Sequence, residues 1–352
     1  MKVHSTSNAD LQAVATELVA LLPAQPTFVL YFHSTTFEAA AVAAMIAKTF
    51  PGVSSLGCST AGEIATGVML DGGLVVAAFE AAEVPQAEVV AIDGDHIKEA
   101  FSGLTKRFDN VDFATHVGLI LMDGLSGKEE SVMESLGDCT DLTFVGGSAG
   151  DDLKFAKTDV FANGQSVNGV GALGLLHVPG GFELIKTQSF SPTGKTLTPT
   201  RIDSASRAVL EFDGQPAAQA YASAIGAKSA EAAASAFMTS PLGLMAGEEP
   251  FVRSPQRVDG DKLHFYCKVR EGVELAVLKG TDIVADTAAA LARSSFRSLI
   301  VFNCILRTLD LKAQGKTDAY GKLFAAPTIG FSTYGEAYIG HINQTATILA
   351  LR

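Results

Sequence analysis

Hydrophobic residues fall along this chain in two alternating textures: short continuous apolar runs, and longer alanine-rich stretches with apolar positions at helical spacing. The runs at 27–32 (TFVLYF), 73–80, 87–93, 116–123, 142–147, 262–269, 273–280, 298–304 and 344–351 predict strands. The stretches at 36–50, 96–108, 128–138, 214–225, 229–237 and 282–293 predict helices, the third of them capped by Ser126. Residues 1–23 read as an amphipathic helix and not as a signal peptide, because no basic segment precedes an apolar one. Residues 170–178 and 182–190 predict a hairpin around Pro179-Gly180-Gly181, and 191–201 a turn-rich connector. The composition shift near 200–215 is the best single place to divide the chain.

One heptapeptide recurs. GCSTAGE occupies 57–63, GGSAGDD 146–152 and GFSTYGE 330–336. They begin 24, 23 and 27 positions after the strands ending at His33, Asp123 and Asn303. Each is followed by another β-rich run, at 73–80, 170–178 and 344–351, and strand-plus-helix pairs at 87–108 and 273–293 precede the second and third copies. This order predicts internal duplication of a strand–helix–turn–strand unit. The fold class expected is α/β, with layered mixed β-sheets and helices in two halves.

The chain has 352 residues, of which 47% are apolar and 18% charged, with a net charge of -12. That composition supports a large core and makes nucleic acid or an anionic membrane a poor partner. No run of about 18 apolar residues predicts a spanning helix, and cytoplasmic residence is the default expectation. The four cysteines are widely spaced, without C-x-x-C or C-x-x-C-H, so zinc and covalent haem are disfavoured.

The recurring turns carry the candidate chemistry. Their glycines permit positive φ and close backbone approach. The short hydroxyls bond neighbouring backbone, and a carboxylate follows each turn. Such turns either lock repeats together or present N–H groups to a polar ligand. G-x-S-x-G is not matched at Ser59, since Ala61 stands two residues on, and no histidine adjoins the turn in sequence. Cys58 or Ser59 as a hydrolytic nucleophile is thus an alternative, and no catalytic residue is expected. DGLSGKEES at 123–131 lacks P-loop spacing, and Asp123 lacks the acidic pair of a phospho-acceptor site. Among the histidines, His33 at a strand end and His341 before the last strand stand out. A single axial histidine suffices for haem.

Taken together, GCSTAGEI, FVGGSAGDD, EFDGQPAAQAYASAIG, VFNCILR and GFSTYGEAYIGHINQT resemble the FIST sensory family. The resemblance covers a FIST N module at about 26–200 and a FIST C partner at about 215–350, so the chain is divided into 1–200 and 215–352. It implies a stand-alone sensor that binds a small ligand between its two FIST halves. Its partner would be a histidine kinase or a cyclic-di-GMP enzyme. One branch resembles NosP-type haem proteins that sense nitric oxide. The matching positions make Cys58, Ser59, Thr60, Gly62, Glu63, Gly146, Gly147, Ser148, Asp151, Arg307, Ser332, Thr333, Tyr334, Gly335, Glu336 and Asn343 candidate ligand contacts. Haem b is a possible cofactor, with His341 preferred over His33 as axial ligand and no metal other than its iron. An amino acid or other metabolite is the competing ligand.

Overall fold

The computed structural model describes residues 1–352. They form two compact units, one of residues 1–187, 287–341 and 346–352 and one of residues 188–286 and 342–345. The sequence division at 200–215 falls inside the second unit.

The first unit is built from three copies of one plan: edge strand, helix, central strand, helix, turn strand, short hairpin, closing strand. The first copy runs β1 (Lys2–Thr6), α1 (Leu11–Leu21), β2 (Phe28–His33), α2 (Ala39–Thr49), β3 (Ser54–Ser59), β4 (Glu63–Ala65), β5 (Val68–Leu70) and β6 (Leu74–Phe79). The second runs β7 (Gln86–Ile92), α3 (Ile97–Thr105), β8 (His116–Met122), α4 (Glu129–Gly137), β9 (Phe144–Ser148), β10 (Val160–Ala162), β11 (Gln165–Ser166) and β12 (Gly171–His177). The third opens with β13 (Phe182–Gln188) and is then interrupted by the second unit.

That unit holds β14 (Phe190–Leu197), β15 (Pro199–Asp203), β16 (Ala208–Phe212), β17 (Gln215–Pro216), α5 (Ala217–Ile225), α6 (Ala230–Ala233), β18 (Leu242–Ala246), β19 (Glu249–Arg253), β20 (Pro255–Asp259), β21 (Lys262–Phe265) and β22 (Leu275–Gly280). Its sheets run β14-β22-β18-β19 and β15-β16-β21-β20, around a core that includes Tyr221, Phe212, Phe265 and Leu242. The third copy resumes with α7 (Ile283–Leu291), β23 (Ser298–Cys304), α8 (Ile305–Ala313), α9 (Thr317–Gly321), β24 (Thr328–Thr333), β25 (Glu336–Tyr338), β26 (Gly340–Ile342) and β27 (Thr345–Leu351).

The three six-stranded sheets are ordered β1-β6-β2-β3-β10-β11, β7-β12-β8-β9-β25-β26 and β13-β27-β23-β24-β4-β5. In each, the central and turn strands are parallel, and the closing strand joins the central strand antiparallel. The last two strands come from another copy. The first copy's hairpin joins the third sheet, the third's joins the second, and the second's joins the first. The repeats are therefore closed into a ring by exchange.

Central strands are apolar on both faces because both are covered. Phe28, Leu30 and Phe32 of β2 enter a core shared by the sheets, while Val29 and Tyr31 meet α1 and α2. Gly57 is required by this packing: a Cβ there would lie 2.4 Å from the Tyr31 ring.

Layered mixed sheets with helices, built on the repeat, are as expected. Five local expectations fail. Ser126 does not cap the helix that follows it: the N-cap of α4 is Lys128, and no side chain caps that end. Residues 170–178 and 182–190 form no hairpin, because β12 is flanked by β7 and β8, and β13 crosses to another sheet. Residues 191–201 are strand, with β14 pairing β22. Residues 1–23 begin with β1 before the helix. The third copy's edge strand is β13, not the strand at 273–280, which belongs to the inserted unit. No helix is long and apolar enough to cross a membrane.

Candidate functional site

The exchange brings the three heptapeptide turns into direct contact. Each turn strand carries a serine at or next to its end, placed beside the last residues of its central strand: Ser59 beside His33, Ser148 beside Met122, Ser332 beside Asn303. Backbone bonds then tie turn to turn. Gly150 and Asp152 donate N–H to the carbonyls of Ser59 and Thr60, each at 3.0 Å. Ser332 donates to Gly62 O at 2.7 Å, and Ala61 to Ser332 O at 3.3 Å. Ser148 donates to Gly335 O at 2.8 Å, and Tyr334 to Ser148 O at 3.1 Å. The N–H groups that sequence alone offered to a ligand are largely spent on this ring.

The side chains follow the same logic. Thr60 donates its hydroxyl to Glu63, whose other oxygen accepts Gly73 N–H at 2.7 Å. Thr333 donates to Glu336 at 2.6 Å in the third turn. Burial, against the pull of these hydrogen bonds, raises the Glu63 carboxyl from 4.5 to about 8. Glu63 is thus mostly a neutral acid near pH 7. Gly147 has no side chain because a Cβ would lie 2.5 Å from Thr333 Cγ2, and Gly146 because one would lie 1.8 Å from Ile120 O.

A buried polar cluster stands behind Ser332. Arg307 Nε donates to Asn303 Oδ1 at 3.1 Å and a terminal nitrogen donates to Thr287 at 2.9 Å. Tyr320 OH donates to the same Asn303 oxygen at 2.9 Å. Asn303 Nδ2 donates to Thr308, whose hydroxyl reaches Ser332 Oγ at 2.8 Å. Asn303, Thr287, Thr308 and Tyr320 were not expected as site residues. The sequence signal was the placement of Asn303 and Arg307 four residues apart at a strand end.

Comparison with known families accords with this arrangement. Residues 27–215 match the FIST N domain and residues 217–338 the FIST C domain. The chain belongs to the FIST sensory family. No curated protein matches it. The FIST C match spans most of the inserted unit and the third copy of the repeat.

In this FIST chain the nucleophile candidates are poorly equipped. Cys58 is wholly buried, and burial together with nearby Glu63 pushes its thiol well above the ordinary value. Ser59 Oγ donates to Gly150 O at 2.7 Å and accepts Asp159 N–H at 2.9 Å. His33 lies beside Ser59 in register, yet its Nδ1 bonds Ser34 O at 3.0 Å and its Nε2 has no partner. No nucleophile–base bond is formed there.

Asp151 accepts three consecutive N–H groups, from Phe155, Ala156 and Lys157, at 2.6 to 3.0 Å, and the Tyr334 hydroxyl. Burial alone would raise its pKa, but these four donors hold it below the usual carboxylate range. Tyr334 stacks on Phe155 with ring centroids 5.0 Å apart. Ser148 Oγ is buried without a partner. Asn343 groups with the second unit, and its Oδ1 is buried without a partner.

His341 is buried, with its Cε1 edge against Gly335: a Cβ there would lie 2.1 Å from Cε1 and 2.9 Å from Nε2. Gly335 thus packs close against the edge of the ring that carries Nε2, where a haem would have to approach. His33 has the chemistry of a ligand, a neutral imidazole with its other N–H on a carbonyl. It is enclosed by β3 and β6 and by Phe161 at 6.3 Å between centroids. The residues present do not fit a haem in this arrangement. A groove of about 720 Å³ between α1 and α2, lined by Leu11, Ala15, Val19, Ala44 and Met45, takes none of the predicted residues.

Proposed function

We propose that this FIST chain is a cytoplasmic sensor that binds a small polar metabolite where its three turns meet. It reports to a partner protein of the histidine-kinase or cyclic-di-GMP class. The interlocked turns carry the reading. A ligand that displaces one turn loads backbone bonds to the other two, and each turn ends the parallel strand pair of a different sheet. A local binding event thereby reaches three sheets, which is what a non-enzymatic input module requires. Family membership supports the sensory role, and the hydrogen-bonded state of Ser59 and the raised thiol of Cys58 argue against hydrolysis.

The geometry supports an amino acid or comparable metabolite over haem and nitric oxide. Thermal-shift screening of amino acids, nucleotides and small organic acids is the test. A saturable rise with a metabolite is expected, and a flat response across all classes would remove the reading. Absorption spectra of protein purified with haem supplied are expected to lack a Soret band. A stoichiometric band abolished by His341→Ala or His33→Ala would restore the haem version.

A further inference from the structure

The second copy departs from the other two in one place. In the first and third copies the exchanged strand starts at the seventh position of the heptapeptide, Glu63 or Glu336. In the second copy that position is Asp152, and the exchanged strand starts only at Val160. The extra residues form a closed loop whose ends meet on one side chain: Ser59 Oγ donates to Gly150 O and accepts Asp159 N–H.

The loop crosses the carboxyl ends of β2 and β3 and is latched on the far side. Asp152 Oδ2 accepts Ser34 Oγ at 2.8 Å, Thr35 N–H at 2.9 Å and the Thr35 hydroxyl, and Lys154 Nζ donates to Thr35 at 2.6 Å. Three of its residues hold left-handed φ: Asp152 at 55°, Leu153 at 64° and Phe155 at 51°. Each costs on the order of 1 kcal/mol for a non-glycine residue, so the closed form depends on its latches.

Between the hinge point at Ser59 and the latch at Ser34-Thr35 sits His33, wholly buried. Its Nδ1 must carry the proton, since Ser34 O only accepts. Nε2 is then a lone-pair acceptor with no protein donor. A buried acceptor left bare costs roughly 1–3 kcal/mol, and native structures rarely leave one so. Carboxylates surround the position: Asp152 in the latch, Asp159 paired to Lys157 at 2.8 Å, and Glu38 capping α2.

We propose that His33 Nε2 is the docking point of a small ammonium or amine ligand, enclosed by the loop at 151–159. The inference rests on the sensor reading and names its ligand class and gate. The acceptor takes one N–H of the ligand, and the neighbouring carboxylates complement its charge. Entry requires Asp152 to leave Ser34 and Thr35, which frees the strained segment and carries Tyr334, bonded to Asp151, with it. The third turn therefore senses the gate.

The test is a titration of ¹⁵N-labelled full-length protein with methylammonium chloride and, separately, sodium acetate, reading His33 Nε2 by long-range ¹H–¹⁵N correlation. A saturable shift with methylammonium and none with acetate is expected. Asp152→Ala, which leaves the strands untouched, removes three latch bonds and is expected to speed ligand exchange at least about tenfold. His33→Gln, checked for fold by circular dichroism, is expected to change the affinity at least about tenfold. An Nε2 signal that ignores methylammonium, with water as its only partner, overturns the site. A metabolite that stabilises the protein while Nε2 stays unmoved overturns this site and leaves the sensor reading standing. A shift at Nε2 with no metabolite raising stability does the reverse.

Discussion

Glu63→Gln separates a structural carboxyl from a ligand-facing one. The side chain is wholly buried, holds Thr60 and Gly73, and has its pKa raised from 4.5 to about 8 chiefly by burial. The folded protein therefore keeps a proton that the unfolded chain loses near its ordinary carboxylate pKa. A pKa raised on folding gives a contribution fully present below about pH 4.5 and lost as pH climbs toward 8. At 1.36 kcal/mol per pH unit, the cost reaches about 3 kcal/mol at pH 7 and about 5 above pH 8. A glutamine amide is neutral throughout, accepts Gly73 N–H with its oxygen and faces a Thr60 hydroxyl able to turn and accept. Urea denaturation of wild type and Glu63→Gln at pH 5, 6, 7 and 8 reads the difference. The variant is expected to gain little at pH 5, about 3 kcal/mol at pH 7, and more at pH 8. Parallel pH profiles would refute the reasoning and show that Glu63 is ionised in the folded protein.

The remaining predictions concern neighbouring groups. Gly146→Ala forces a Cβ onto the Ile120 carbonyl of a paired strand and is expected to cost more than about 3 kcal/mol or prevent folding. Gly103→Ala, in α3 with open space around it, is expected to stabilise by about 0.5–1 kcal/mol; thermal melts of both check this. Arg307→Lys cannot reproduce the fork that spans Asn303 and Thr287 and is expected to lose about 2–4 kcal/mol in denaturant titrations. Asp151, whose pKa is lowered on folding, stabilises the loop above the ordinary carboxylate pKa, an effect lost as pH falls through the lowered value. Asp151→Asn is expected to raise hydrogen exchange at Phe155, Ala156 and Lys157 at neutral pH. Cys58 is expected to resist iodoacetamide in folded protein until urea exposes it.

The repeat was legible because its parts are local. The heptapeptides, the central strands and the closing strands announce themselves by composition and spacing. The exchange of hairpins was not legible. Residues 63–70 and 160–166 are too short and too mixed in polarity to state which sheet they join, and pairing partners lie up to about 270 positions apart. The false hairpin at 170–190 has the same origin: a Pro-Gly-Gly corner looks alike whether the chain folds back or crosses over. For the site, the turn residues were found, yet their use was invisible, since a serine that clips a loop and one that meets a ligand share a sequence. His33 was visible only as a strand-end histidine. Its pairing with Ser59 appears only once β2 and β3 are in register.

The repeat also supplies a standard against which function can be judged. Where three copies agree, as in the first glycine and the serine two residues after it, the residues answer a demand that all three sheets share, and packing accounts for them. Function belongs where the copies disagree. Beside the serine stand His33, Met122 and Asn303. Met122 is apolar core, and Asn303 is saturated by Arg307, Thr308 and Tyr320. Only the histidine keeps a bare buried nitrogen, and only the loop inserted in the second copy crosses over it. Two independent departures from one plan, in different copies and nearly 120 residues apart in sequence, converge on one point. A purely structural ring has no need of either. A ligand site with a gate needs both.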